Sequence, residues 1–136
     1  MGDSPYGAVD DDKPLYFMGT SKDDLSAFPD EVKLVIGFAL RMAQRGEKHA
    51  QAKPWKGDGS GVLEIVEDDG DAYRAVYVTR FAGVVYTLHA FQKKSTKGVK
   101  TSARDIAAVK RRLKMAESHF AKLKETENKH GKSNRK

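Results

Sequence analysis

Three groups of residues have the types and spacing that suit phosphodiester chemistry. They are Arg74 in Tyr73-Arg74-Ala75-Val76-Tyr77, His89 in Leu88-His89-Ala90-Phe91, and the pair Lys93-Lys94 that closes the second run. Guanidinium and ammonium groups stabilise charge that develops on phosphate oxygens, often the largest catalytic effect. An imidazole can give or take a proton near neutral pH, although a lone histidine serves a structural role as readily. RNA carries its own nucleophile, the 2′-hydroxyl. A protein that cleaves it need only orient that hydroxyl, stabilise the phosphorane and help the 5′-oxygen leave. A lysine among other cations has a lowered pKa and can move the proton. The same cations would equally hold nucleic acid without cutting it, and composition does not separate the two.

The chain has no cysteine, and it shows no metal-ligand spacing and no phosphate-cradling glycine loop. No metal and no cofactor are therefore expected. The net charge of +6 hides a gradient. Residues 1–31 carry eight Asp/Glu against two Lys, residues 32–88 nearly balance, and residues 89–136 carry fifteen Lys/Arg against four acidic groups. Such asymmetry fits a nucleic-acid binder, and a solvated lysine-rich helix and tail fits it as well. No apolar run is long enough to span a bilayer, and the acidic start lacks the apolar core of a secretory signal. A cytoplasmic protein without membrane contact is expected.

These residues need strands to hold them. Val62–Glu67, Tyr73–Phe81 and Val84–Lys93 are crowded with β-branched and aromatic side chains, with turn signals at Asp69-Gly70 and Ala82-Gly83. Leu15–Met18, closed by Gly19, reads as a first strand, and Thr20 or Ser21 starts a short helical stretch. Pro29, Asp30 and Glu31 suit a helix start, with Leu34, Val35, Phe38, Ala39 and Met42 as its buried face and Gly46 as its stop. Residues 51–61, with Pro54 and three glycines, read as a loop. Trp55 there, between Lys53 and Lys56, either stacks on a base or closes the edge of a core. A last helix runs from about Ser102 to Leu123 on the seam Ile106, Val109, Leu113, Ala116 and Phe120. The order β-α-α-β-β-β-α implies an α+β domain whose antiparallel sheet packs against helices. Residues 1–12 are expected to be a disordered acidic N-terminus, 13–123 one folded domain, and 124–136 a basic flexible tail.

A two-residue turn at Ala82-Gly83 would pair Val78 with Thr87, Val76 with His89 and Arg74 with Phe91. Arg74, Val76, Val78 and Arg80 would then share a face with Thr87, His89, Phe91 and Lys93. That polar face is expected to be the open one, and the Tyr73/Ala75/Tyr77 face to meet the helices. A turn at Asp69-Gly70 would place Glu64 on the latter, away from Arg74.

With these residues in view, Val62–Glu67, Tyr73–Tyr77 and Leu88-His89-Ala90-Phe91-Gln92-Lys93-Lys94-Ser95 resemble the phage-related, HigB-like toxins of the RelE/ParE superfamily. Leu15-Tyr16-Phe17, Arg104-Asp105-Ile106 and Lys110-Arg111-Arg112-Leu113 fit the same pattern, so the similarity covers about residues 13–120. The resemblance implies a RelE-like fold and a toxin of a type II toxin–antitoxin pair. It implies a ribosome-dependent mRNA endoribonuclease acting by metal-independent 2′-hydroxyl attack. It casts Arg74, Lys93 and Lys94 as active-site residues; the reading of the residues themselves adds His89 as a catalytic candidate and Lys53, Lys56, Arg80, Phe91 and Lys97 as candidates for holding RNA. Its partners would be mRNA, the ribosome and a helix-turn-helix, HigA-like antitoxin that covers the active face. The chain departs from the pattern in two places: Val66 follows Glu64-Ile65 where many HigB-like chains carry Arg, and no tyrosine follows the lysine pair, where some RelE relatives use one to stack on a base. A ParE-like inhibitor of DNA gyrase and a non-catalytic phage-associated nucleic-acid binder are the other readings.

Overall fold

The computed structural model describes residues 12–56, 61–69, 71–93 and 101–134. Lys94, Lys97 and the segment before Asp12 lie outside them. The elements are β1 (Leu15–Phe17), α1 (Ser21–Ser26), α2 (Asp30–Gln44), β2 (Ala52–Pro54), β3 (Val62–Asp69), β4 (Asp71–Val78), β5 (Val85–Lys93) and α3 (Ala103–Asn134). Together they form an α+β fold with one five-stranded sheet in the order β1-β5-β4-β3-β2.

Every residue of β5 from Val85 to Phe91 is buried. Continuous rather than alternating burial means that both faces of the sheet are covered. On one face Val32, Ile36, Ala39, Leu40 and Ala43 of α2 pack over Ile65, Ala75, Tyr77 and Val85. On the other, Val109, Leu113 and Ala116 of α3 pack over Val62, Val76, Val78, Tyr86 and Leu88. The face that carries Arg74 is therefore not open along its length, contrary to the expectation above. The apolar seam of α3 needs a surface to bury it, and Val76, Val78 and Tyr86 supply one.

The sheet is mixed rather than antiparallel. β1 runs parallel to β5, with Leu15 beside Val85 and Phe17 beside Thr87, while the other pairs are antiparallel. Part of the expected loop is strand: β2 pairs with β3, placing Ala52 opposite Ile65 and Lys53 opposite Glu64.

Two register details decide which side chains meet. Arg74 lies opposite Phe91 and Val76 opposite His89, as the sequence suggests, but Tyr77 then faces Thr87. Leu88 is the extra residue of a β-bulge, so Thr87 moves to the Tyr77 face and Val78 pairs with Tyr86. The strands also stop short of Ala82-Gly83: β4 ends at Val78 and β5 begins at Val85. At the other hairpin Asp69 faces Asp71, one residue tighter than expected. That single step moves Glu64 opposite Val76, onto the face of Arg74.

The helices differ in detail as well. The buried face of α2 is Val32, Ile36, Ala39, Leu40 and Ala43. Leu34 and Phe38 are exposed, 62% and 39% respectively, and the Phe38 ring meets His49 edge-on. Two apolar stripes overlap on this helix, and packing on the sheet selects one. α3 continues past Leu123 to Asn134. Its last turns are rich in Lys and Glu, good helix formers, with Lys124 3.5 Å from Glu127 and over the Phe120 ring.

Candidate functional site

Antiparallel pairing of β3, β4 and β5 brings Glu64, Arg74 and Lys93 to one corner of the sheet, beside the first turn of α3. Arg74 Nη1 donates to Glu64 Oε2 at 3.0 Å, with side-chain exposures of 16% and 10%. Lys53, opposite Glu64 on β2, adds an ammonium group from the edge strand. Partial burial holds Lys93 below its ordinary pKa; the positive charges of Arg74 and Lys53 act in the same direction, and Glu64 opposes them. Lys53, Lys56, Glu64, Arg74 and Lys93 line a cleft of about 440 Å³, walled by Pro54, Trp55, Thr101 and Ile106. Four cations against one carboxylate give the cleft a positive balance that favours an anion, and its volume is large enough for a nucleotide-sized group. Arg74 Nε is buried and has no hydrogen-bond partner among the described residues. Trp55 is buried in the core beside Val62 and Val76, so it closes the core edge and forms a wall rather than a free stacking platform.

The other singled-out residues lie elsewhere. His89 Nδ1 faces Arg112 Nη1 at 2.9 Å, and His89 Nε2 faces Asp105 Oδ1 at 2.7 Å. A guanidinium only donates, so Nδ1 must accept and Nε2 carries the proton that goes to Asp105. The imidazole thus ties β5 to α3. Arg112 also donates to the Leu88 carbonyl and the Thr20 hydroxyl. It lies against Gly19, where an added Cβ would clash with Arg112 Nε and where φ is +58°. Phe91 is buried and stacks on the His89 ring with centroids 4.9 Å apart. Arg80 sits in the β4–β5 connection, 3.0 Å from Glu117 of α3, and lines neither the cleft nor the larger groove described below. Lys94 and Lys97 are outside the described residues.

Glu64 is the residue that sequence reasoning missed. The signal available was electrostatic: Arg74, flanked by apolar neighbours in a central strand, needs a counterion, and only one parity of β3 supplies it.

The family described as Phage derived protein Gp49-like matches residues 23–114. The chain belongs to this family. Gp49-like proteins are RelE/toxin-like and associated with phage-derived toxins. In this Gp49-like chain the match includes every cleft residue from Lys53 to Ile106. No curated protein matches the chain. Among the described residues no helix is long and apolar enough to cross a membrane.

Proposed function

We propose that this protein is a HigB-like toxin of a type II toxin–antitoxin pair with a RelE-like active site. In this reading it cleaves mRNA on the ribosome, in the cytoplasm, and is neutralised by a helix-turn-helix, HigA-like antitoxin. The observation that carries the reading is the meeting of Lys53, Lys56, Arg74 and Lys93 with Glu64 in one cleft.

The positions of these groups support the following chemistry. Arg74 and Lys53 hold the scissile phosphate and stabilise the added negative charge of the phosphorane. The Glu64 oxygen not engaged by Arg74 accepts the proton of the 2′-hydroxyl as its oxygen bonds to phosphorus. The bond from phosphorus to the 5′-oxygen breaks, and the Lys93 ammonium protonates that leaving oxygen. The products are a 2′,3′-cyclic phosphate and a free 5′-hydroxyl, and no step needs a metal. A lysine whose pKa is lowered is a better acid for this task than an ordinary one.

Inducible expression with mapping of mRNA ends tests the proposal. Growth arrest accompanied by cut mRNA, relieved by Lys53→Ala with Lys93→Ala in a protein that still folds, is the expected result. Arrest with intact mRNA and a DNA-damage response would support gyrase inhibition instead. Harmless expression would leave a nucleic-acid-binding module, whose affinity should fall steeply with salt.

A further inference from the structure

We propose that a second groove beside the cleft holds single-stranded RNA flanking the scissile phosphate, its phosphates on one wall and its bases on the other. The inference rests on the ribonuclease reading of the cleft and extends that reading along the substrate. The groove has a volume of about 1210 Å³, larger than the roughly 300–1,000 Å³ that suits one small ligand. The first turn of α3 divides it from the cleft. Thr101 and Ile106 line the cleft, whereas Ser102, Arg104 and Asp105 line the groove, and no residue lines both. A helix with its side chains is about 10–12 Å across, a distance that a few linked nucleotides cover.

The two walls differ in chemistry. Arg104 and Arg111 of α3 form one of them. Both are exposed, and neither has an ion pair among the described residues. They stand two turns apart, about 10 Å along the helix axis, with only Ala107 and Ala108 of the intervening helix face beside Asp105 in the groove. Guanidinium groups at that separation meet two anionic groups in a row rather than a single anion, and a phosphate backbone supplies such a row. Phe28 and Tyr73, half-buried, form the opposite wall, their ring centroids 4.9 Å apart and their planes tilted by 60°. Aromatic rings stack on any unpaired base, whatever its identity.

The acidic groups in the groove do not cancel this charge. Asp105 accepts from His89 Nε2 at 2.7 Å and from the Ser102 hydroxyl. Asp24 accepts from the Thr20 hydroxyl. Burial and then the Arg111 charge lower the pKa of Arg112, while the Asp24 charge opposes them, so Asp24 is offset by Arg112. Arg112 is itself engaged by the Leu88 carbonyl, His89 and Thr20. The charge left for a ligand is that of Arg104 and Arg111. An acidic peptide would also meet those arginines, but only a nucleic acid continues unbroken from a phosphate held in the neighbouring cleft.

The probe is a single-stranded 2′-O-methyl RNA carrying 4-thiouridine, which lacks the nucleophile and stays whole. It is added to the full chain at low salt, with fluorescence anisotropy and photo-crosslinking as readouts. The expected result is saturable binding with cross-links in the groove, at Phe28 or Tyr73. Arg104→Ala with Arg111→Ala should lower the affinity roughly tenfold with an unchanged circular dichroism spectrum. The slope of log affinity against log salt should fall by about 1.4, the share of two phosphates on a single strand. Phe28→Leu, which keeps an apolar contact with Tyr73, should lower the affinity roughly fivefold. Lys93→Met should leave the groove cross-links in place, so groove binding without cleavage would fail the nuclease alone. Cleavage by the wild type with no groove cross-links, or with an affinity and salt slope unchanged in the arginine variant, would overturn this proposal and leave the nuclease standing. A polyglutamate peptide that cross-links in the groove while the RNA does not would overturn it too.

Discussion

Replacing Arg74 with alanine should destabilise the protein by about 3 kcal/mol. Arg74 Nη1 and Glu64 Oε2 are 3.0 Å apart, and both side chains are mostly out of water. At an effective dielectric of about 20, opposite charges at that distance attract by about 5 kcal/mol, from which desolvation is subtracted. Loss of the guanidinium leaves a buried carboxylate, and breaking such a pair costs about 3–5 kcal/mol. Lys53 and Lys93 remain near Glu64, so the lower end applies. Trp55, the one tryptophan, is buried in the core and reports unfolding by fluorescence. With a urea slope of about 1.5 kcal/mol per molar, the midpoint should fall by about 2 M. Glu64→Gln added to Arg74→Ala should recover more than half of that loss, because no charge is then stranded. A midpoint unchanged by Arg74→Ala, or no recovery in the double variant, would refute the ion pair. It follows that Lys93 and Lys53, not Arg74, are the variants for activity assays.

Gly19→Ala should destabilise the fold by about 1–3 kcal/mol, since it meets both a positive φ and the Arg112 guanidinium; thermal unfolding would show it. Tyr77→Phe should be neutral or stabilising by about 1 kcal/mol, because its buried hydroxyl has no partner among the described residues. Burial raises Tyr77 and Tyr86 from 10.0 to about 12. The folded state therefore holds these protons more tightly than the unfolded chain. The stability they confer is full below pH 10 and is lost as pH rises toward 12, so alkaline urea titrations should steepen in that window and Tyr77→Phe should blunt the effect. If Lys93 is the acid of the reaction, RNA cleavage should fall as pH rises through its lowered pKa. That limb should begin below the ordinary lysine value of 10.5 and vanish in Lys93→Arg.

The core of this fold was legible in local pattern. Strands β3, β4 and β5 follow from β-branched and aromatic runs, and α3 follows from Val109, Leu113 and Ala116 at helical spacing. Counted from the turn, the pairing of Arg74 with Phe91 and of Val76 with His89 comes out right because the β4–β5 connection shifts the register by one residue and the bulge at Leu88 shifts it back. Between the turn and the bulge the count is off by one, since nothing in an apolar run marks which residue is left unpaired. The parallel contact of β1 with β5 has no turn to announce it, being a pairing distant in sequence. β2 is three residues long and holds Pro54, which suits an edge strand but reads as loop. For the site, the cations were visible by type and Glu64 was not, because a one-residue change in the register of β3 with β4 reverses the face of β3. His89 was visible as chemistry, yet Asp105 and Arg112 lie seven residues apart on one side of α3 and engage both ring nitrogens.

The most direct measurement is the chemistry of RNA ends. Purified full-length protein, incubated with ribosomes and a defined mRNA in the presence of a chelator, should leave 2′,3′-cyclic phosphate and 5′-hydroxyl termini. Folded Lys93→Met should leave none. Intact mRNA, or cutting that continues unchanged in Lys93→Met, would contradict a cleft in which Lys93, Arg74 and Glu64 act on the phosphodiester.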